Sequence, residues 1–285
     1  MLQFPRGLRD GDRVSLPLLR PADLDAYLLE LPVAAAVLPR LQMLLLSDDA
    51  NVADVVELIR FDPSLATRVM HAAASAYYGR SRDLNSLEEA VALLGLREAY
   101  RVTAAFALSR YLNTPLRIYG LGPAEYWRRS LACALLMETR ALAQGLDECV
   151  AYTAGLLHSL GMVLIDRHLR AVGDPGTLLR EFPASPITRQ EQRLIGMNHA
   201  QVAGLILRRW SFGSDVVAPI EFQFEPARAP APQAAMTALL ARARSSAVEL
   251  IRDLPPPGQG MAAASDESEA GDVGARILAV ERWLH

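Results

Sequence analysis

Residues 52–79 read VADVVELIRFDPSLATRVMHAAASAYYG, and this stretch decides the fold class. Val52, Val55, Val56 and Ile59 recur at i, i+3, i+4 and i+7, with Asp54, Glu57 and Arg60 between them, which is the spacing of an amphipathic helix. Asp62-Pro63 then restarts the chain. The Asp62 carboxylate is suited to accept from the free N–H groups of a new helix, and Pro63 fits its first turn, where a missing N–H costs nothing. This second helix runs to about Ser75 and stops before Tyr77-Tyr78-Gly79.

The same grammar continues downstream. Ser86-Leu-Glu-Glu89 is a capping box opening a short helix that Gly95 closes, and Thr188-Arg-Gln-Glu191 predicts a second box. Further helices are predicted over 97–112, 124–144, 148–168, 188–197, 200–210, 214–222 and 233–252, divided by Gly145, Gly173, Pro183 and Gly213. No segment alternates with period two between hairpin turns, so the class is all-α.

At the ends the pattern weakens. Residues 1–30 carry Pro5, Gly7, Gly11, Pro17 and Pro21 and read as an N-terminal extension, with one extended stretch at Arg13–Leu18. Residues 253–275 hold Pro255-Pro256-Pro257-Gly258 and the acidic run ASDESEAGD, a composition that buries too little to order itself and predicts a flexible linker. Ile277, Leu278, Val280, Trp283 and Leu284 then mark a short C-terminal helix over 276–285 that docks on a body or a partner.

Composition sets outer bounds. With 51% hydrophobic residues and 21% charged ones, the 285-residue chain can build a large core. A net charge of -3 gives no global electrostatic case for nucleic acid or an acidic membrane. Two cysteines, Cys133 and Cys149, form no CxxC pair, which points to a reducing compartment. Arg6, Arg9, Asp10 and Asp12 interrupt the window a signal peptide would need, and the apolar runs near 41–46 and 155–165 are short for a membrane span. The expectation is a cytoplasmic protein.

The order and spacing of several words give a resemblance. Leu31-Pro32, Leu38-Pro39, IRFDPSLATRVMHAAASAYYG (59–79), SLEEAVALLGL (86–96), YWRRSLACA (126–134), AGLLHSLGMVLI (154–165) and Glu191…His199-Ala…Trp210 resemble the HDOD family, the HD-related output domain of bacterial signalling proteins. The likeness covers residues 31–252. It implies a two-lobed helical bundle, with an N-terminal lobe to about residue 112 and a C-terminal lobe over 113–252 related to HD-type metal phosphohydrolases. It further implies a regulatory module of the bacterial cytoplasm that works through other signalling proteins. Two words depart from the family: Ala74-Ser75 stands where Asn-Ser is usual, and Glu221-Phe-Gln-Phe-Glu225 where paired histidines are usual.

That resemblance also places the metal ligands of an HD site, and here most are missing. Catalysis by a divalent ion needs about three protein ligands and an open position for water. The first His falls at Arg129, the His-Asp pair is His158-Ser159, and the late Asp falls in a helix over 233–252 that has no Asp but carries Arg242 and Arg244. No catalytic residue, metal or cofactor is therefore expected. His158 and His199 read as hydrogen-bonded scaffold histidines, or as a residual two-imidazole site. If Arg129, Arg242 and Arg244 converge on His158, the old metal pocket is suited to an anion; if Glu138 or Glu249 neutralises them, it is closed and structural. Ser130 and Ser159 lack a nucleophile-elbow turn, and no phosphate-binding glycine loop occurs.

The expected function is a non-catalytic signal-transduction module. Its rivals are a diverged metal-dependent phosphohydrolase and a nucleotide- or anion-sensing domain. Self-association is left open.

Overall fold

Side-chain caps set where the first helices begin. Asn51 Oδ1 accepts from Asp54 N–H at 3.0 Å, starting α2 (Val52–Arg60) behind α1 (Val37–Leu45). Asp62 Oδ1 accepts from Ser64 N–H at 2.8 Å and opens α3 (Pro63–Ala73) with Pro63 in its first turn, as the sequence predicts. Ser86 Oγ accepts from Glu89 N–H at 3.1 Å at the head of α4 (Leu87–Leu94). The Glu89 carboxylate reaches one residue further back than a capping box requires, to Asn85 N–H at 2.9 Å. Gly95, at φ +81°, ends α4 and starts α5 (Leu96–Leu112), in a backbone region that side chains rarely adopt.

The structure is a computed structural model that describes residues 37–47, 49–75, 84–172, 186–256 and 268–284. The N-terminal extension, the stretch Arg13–Leu18, the Tyr77-Tyr78-Gly79 stop and residues 257–267 of the predicted linker lie outside the described residues. Helices α6 (Pro123–Leu142), α7 (Glu148–Leu157), α8 (Gly161–Val172), α9 (Ile187–Ile195), α10 (His199–Arg209), α11 (Ser214–Glu221), α12 (Ala234–Leu250) and α13 (Glu269–Leu284) complete the order. Among the described residues there is no strand, only one isolated bridge between Leu116 and Leu121, so the fold is all-α.

Helices α1–α5 pack on one another, α6 lies against α7 and α12, and α10 lies against α8 and α11. Helix α5 touches both α6 and α7, so one hydrophobic core runs from Leu38 through Tyr100 and Leu131 to Leu240.

Three boundaries differ from expectation. The helix predicted over 148–168 breaks at His158-Ser159-Leu160 into α7 and α8. There the ladder tightens to i→i−3 bonds, Leu160 N–H to Leu157 O at 3.0 Å and Met162 N–H to Ser159 O at 2.9 Å. Side chains take the carbonyls: His158 O accepts from Gln223 Nε2 at 2.8 Å and Ser159 O from the Tyr126 hydroxyl at 3.1 Å. The span Glu148–Ala171 is also long and apolar enough to cross a membrane by length and composition, which the short apolar runs concealed. Of its most apolar window, however, 78% is buried inside the fold.

The second correction is the Thr188–Glu191 capping box. Helix α9 starts after Pro186 with no side-chain cap, because Glu191 is fully buried and turned to other partners. The box that exists is Asn198–Gln201, at the head of α10. Third, α13 begins at Glu269 rather than 276, taking in part of the predicted linker. Val273 and Ile277 are fully buried and Leu278 and Val280 nearly so, against α6, α3 and α5. The side chains of Trp283 and Leu284 lie outside the described residues.

Candidate functional site

Two glycines fix the α7–α8 break against its neighbours. A Cβ on Gly155 would sit 2.6 Å from Ala134 Cα on α6, and one on Gly161 would sit 2.0 Å from the His199 carbonyl oxygen at the head of α10. Only a residue without a side chain permits either approach. His158 lies between these two contacts, held against α6 on one side and α10 on the other.

His158 Nδ1 is 2.7 Å from the Gly155 carbonyl. A carbonyl only accepts, so Nδ1 carries the hydrogen of the neutral ring and Nε2 is left as an acceptor. The residue keeps some solvent exposure, but its ring is enclosed by protein. Burial, with His199, Arg244 and Arg129 nearby, pushes its pKa from 6.5 down to about 4. His158 is therefore neutral at physiological pH.

His199, the first residue of α10, is buried and edge-on to Phe224, with ring centroids 5.0 Å apart. The Glu191 carboxylate accepts from His199 Nδ1 at 2.9 Å, from His199 N–H at 2.9 Å and from the Tyr119 hydroxyl at 2.8 Å. A carboxylate on Nδ1 again leaves Nε2 as the free face of the ring.

Two of the three arginines join this group. Arg244, on α12, lays its guanidinium over the Phe224 ring at 4.2 Å. It forms no ion pair among the described residues, and its Nε is buried without a hydrogen-bond partner. Burial lowers its pKa, the mark of a cation held away from both water and carboxylate. Arg129, on α6, pairs with Glu125 one turn back, and its Nε is likewise buried and unbonded.

Arg242 does not join. It is exposed, two residues and about 200° around the helix from Arg244. The acids expected to neutralise the set are elsewhere too: Glu138 pairs with Arg101 and Arg276, and Glu249 is exposed on α12. Ser159 is buried, with its Oγ 3.4 Å from Ser130 Oγ.

Glu191, Gln223, Phe224 and Glu125 are the members that sequence reading missed. The segment Glu221–Glu225 held a signal, since it stands where the HDOD family usually has paired histidines. Glu125 sits at i−4 from Arg129, a legible helix pair. Glu191 is a landmark of the family resemblance, but its place in Thr188–Glu191 read as a local cap.

The set does not fit a divalent ion. Where the resemblance implies two ligands the chain carries Arg129 and Ser159, and a guanidinium repels the ion it would have to bind. Among the described residues no three His, Cys, Asp or Glu side chains are grouped to hold a metal. The two thiols add nothing, since burial pushes Cys133 up to about 12 and Cys149 up to about 11.

The model of the HDOD domain family matches residues 31–226. Among solved structures, the chain is 24% identical to a Shewanella amazonensis protein provisionally named a phosphohydrolase, with a TM-score of 0.64 over 93% of this chain and 98% of that one. It is also 24% identical to an HDOD domain protein of unknown function from Geobacter sulfurreducens, with a TM-score of 0.64 over 92% and 91%. A Marinobacter aquaeolei protein provisionally named for signal transduction is 23% identical, with a TM-score of 0.61 over 95% of this chain and 61% of that one. At these identities the likeness establishes the fold. No curated protein matches.

Proposed function

Because the chain belongs to the HDOD domain family, we propose that it is a non-catalytic signal-transduction module acting through contacts with other proteins, with an HD site that has lost its metal chemistry. The observation that carries this reading is the donor set: Arg129 and Ser159 where the resemblance implies ligands, and Arg244 half-buried nearby with no ion pair among the described residues. A hydrolytic ion draws a water into reach by Lewis acidity, and a site built on guanidinium groups supplies neither the ligands nor the vacancy. The names of the similar structures divide between hydrolysis and signalling, and this donor set favours signalling.

One observation favours the rival phosphohydrolase. Glu191 orients His199 in the way a carboxylate orients a metal-bound imidazole. That pair is one ligand with its support, and His158 would be a second, so a third is wanting.

The test is turnover. Purified full-length protein is assayed against phosphomonoester, phosphodiester and nucleotide substrates with Mg²⁺, Mn²⁺ or Fe²⁺ added. Rates equal to a protein-free control are expected. Metal-dependent turnover that vanishes in His199→Ala would overturn the reading.

A further inference from the structure

Among the described residues, arginines that are buried or half-buried are paired nearly everywhere. Arg128 has Glu281, and Arg101 and Arg276 share Glu138. Arg244, half-buried, is the exception: among the described residues it has no ion pair, its buried Nε meets no acceptor, and its guanidinium lies over the face of Phe224. A guanidinium drawn part-way out of water with no carboxylate beside it is costly. Arg129 adds a second buried, unbonded Nε close enough to act on the same His158 ring. The Arg129 side chain keeps 31% exposure and Arg244 is half-buried, so both arginines reach solvent.

We propose that Arg244 and Arg129, with His158 beside them, form a binding site for a phosphorylated small molecule. The two guanidinium groups offer planar N–H donors suited to phosphoryl oxygens. Acceptors stand next to them: Gln223 Oε1 is buried without a donor, while its Nε2 is fixed on the His158 and Ile220 carbonyls, and His158 presents Nε2 as a lone pair. A bare anion leaves those acceptors unmet. A ligand with both a phosphoryl group and hydroxyl donors, such as a nucleoside monophosphate, answers both halves of the site. Its binding is independent of whether the module acts through partner proteins, and hydrolysis assays do not bear on it.

The experiment is a thermal-shift titration of the full chain with AMP and, separately, inorganic phosphate, each against sodium chloride at matched ionic strength. Saturable stabilisation by AMP exceeding that by phosphate is expected, with none from chloride. Arg244→Met should weaken AMP binding at least tenfold, while Arg242→Ala, on the exposed side of the same helix, should bind as the parent does. Melting of each variant without ligand is read first, so that loss of binding is separated from loss of fold. Absence of saturable stabilisation by either phosphate compound overturns the proposal, and so does stabilisation that survives Arg244→Met in a folded variant.

Discussion

Two regions of this protein bury arginines and treat them oppositely. Along the seam between α13 and α6, Arg128 is gripped by both oxygens of Glu281 at 2.5 and 2.7 Å and also donates to the Pro255 carbonyl at 2.6 Å. Glu138 is nearly buried between Arg101 and Arg276, and Arg140 binds Glu269 at 3.0 Å. In the C-terminal lobe Arg244 has an aromatic face and, among the described residues, no carboxylate. The seam is built for holding α13 across both lobes. Arg244 is a half-buried charge that the described residues do not complete, and such charge is where binding is to be sought.

The comparison is sharpest when one arginine is removed from each region. Arg128→Met strands the Glu281 carboxylate in the seam, and losing one partner of a buried pair costs about 3 to 5 kcal/mol. Chemical denaturation of the full chain reads this directly. Restoration of most of the loss by adding Glu281→Leu would confirm that the stranded charge, rather than lost packing, is the cause.

His158 gives a smaller effect with a defined sign. Its folded pKa is about 4 against an ordinary 6.5. Between those values the unfolded chain binds a proton that the folded chain refuses, so stability falls as pH drops through the window and is fully present above about 6.5. At about 1.4 kcal/mol per unit of pKa displacement the ceiling is about 3 kcal/mol, and partial exposure brings it lower. His158→Gln should flatten this part of the stability profile between pH 6.5 and 4, measured as the difference from the parent. Identical profiles for variant and parent would show that the ring is not held neutral by its surroundings.

Arg244→Met should do least. In phosphate-free buffer, loss of the Phe224 contact at about 1 kcal/mol is offset by relief of an unpaired half-buried cation, leaving stability within about 1 kcal/mol of the parent. A loss as large as that from Arg128→Met would place both arginines in the same structural role and erase the contrast.

Much of this was readable beforehand, for physical reasons that also mark where reading stopped. Asp62-Pro63 and Ser86 cap through neighbours in sequence, so local chemistry fixes them. Matching positions to a similar lobe singled out Arg129, His158, His199, Arg242 and Arg244, and left open which of them meet. Glu191 was misread because Thr188-Arg-Gln-Glu191 has the right letters for a cap, whereas tertiary partners, Tyr119 and His199, outcompete the local bond. The break at 158–160 is set by Gln223 and Tyr126, residues 65 and 33 positions away, and no local periodicity records them. Arg242 and Arg244 look equivalent as letters, and only the helix phase separates them.

On the proposed function the lobe holds no metal ion, and its arginines serve a phosphorylated ligand instead. Elemental analysis of the full-length protein, purified without chelator and passed through gel filtration, tests the first half most directly. The account predicts iron, manganese and zinc each far below one per chain. About one retained ion per chain, lost in His158→Ala or His199→Ala, would contradict it.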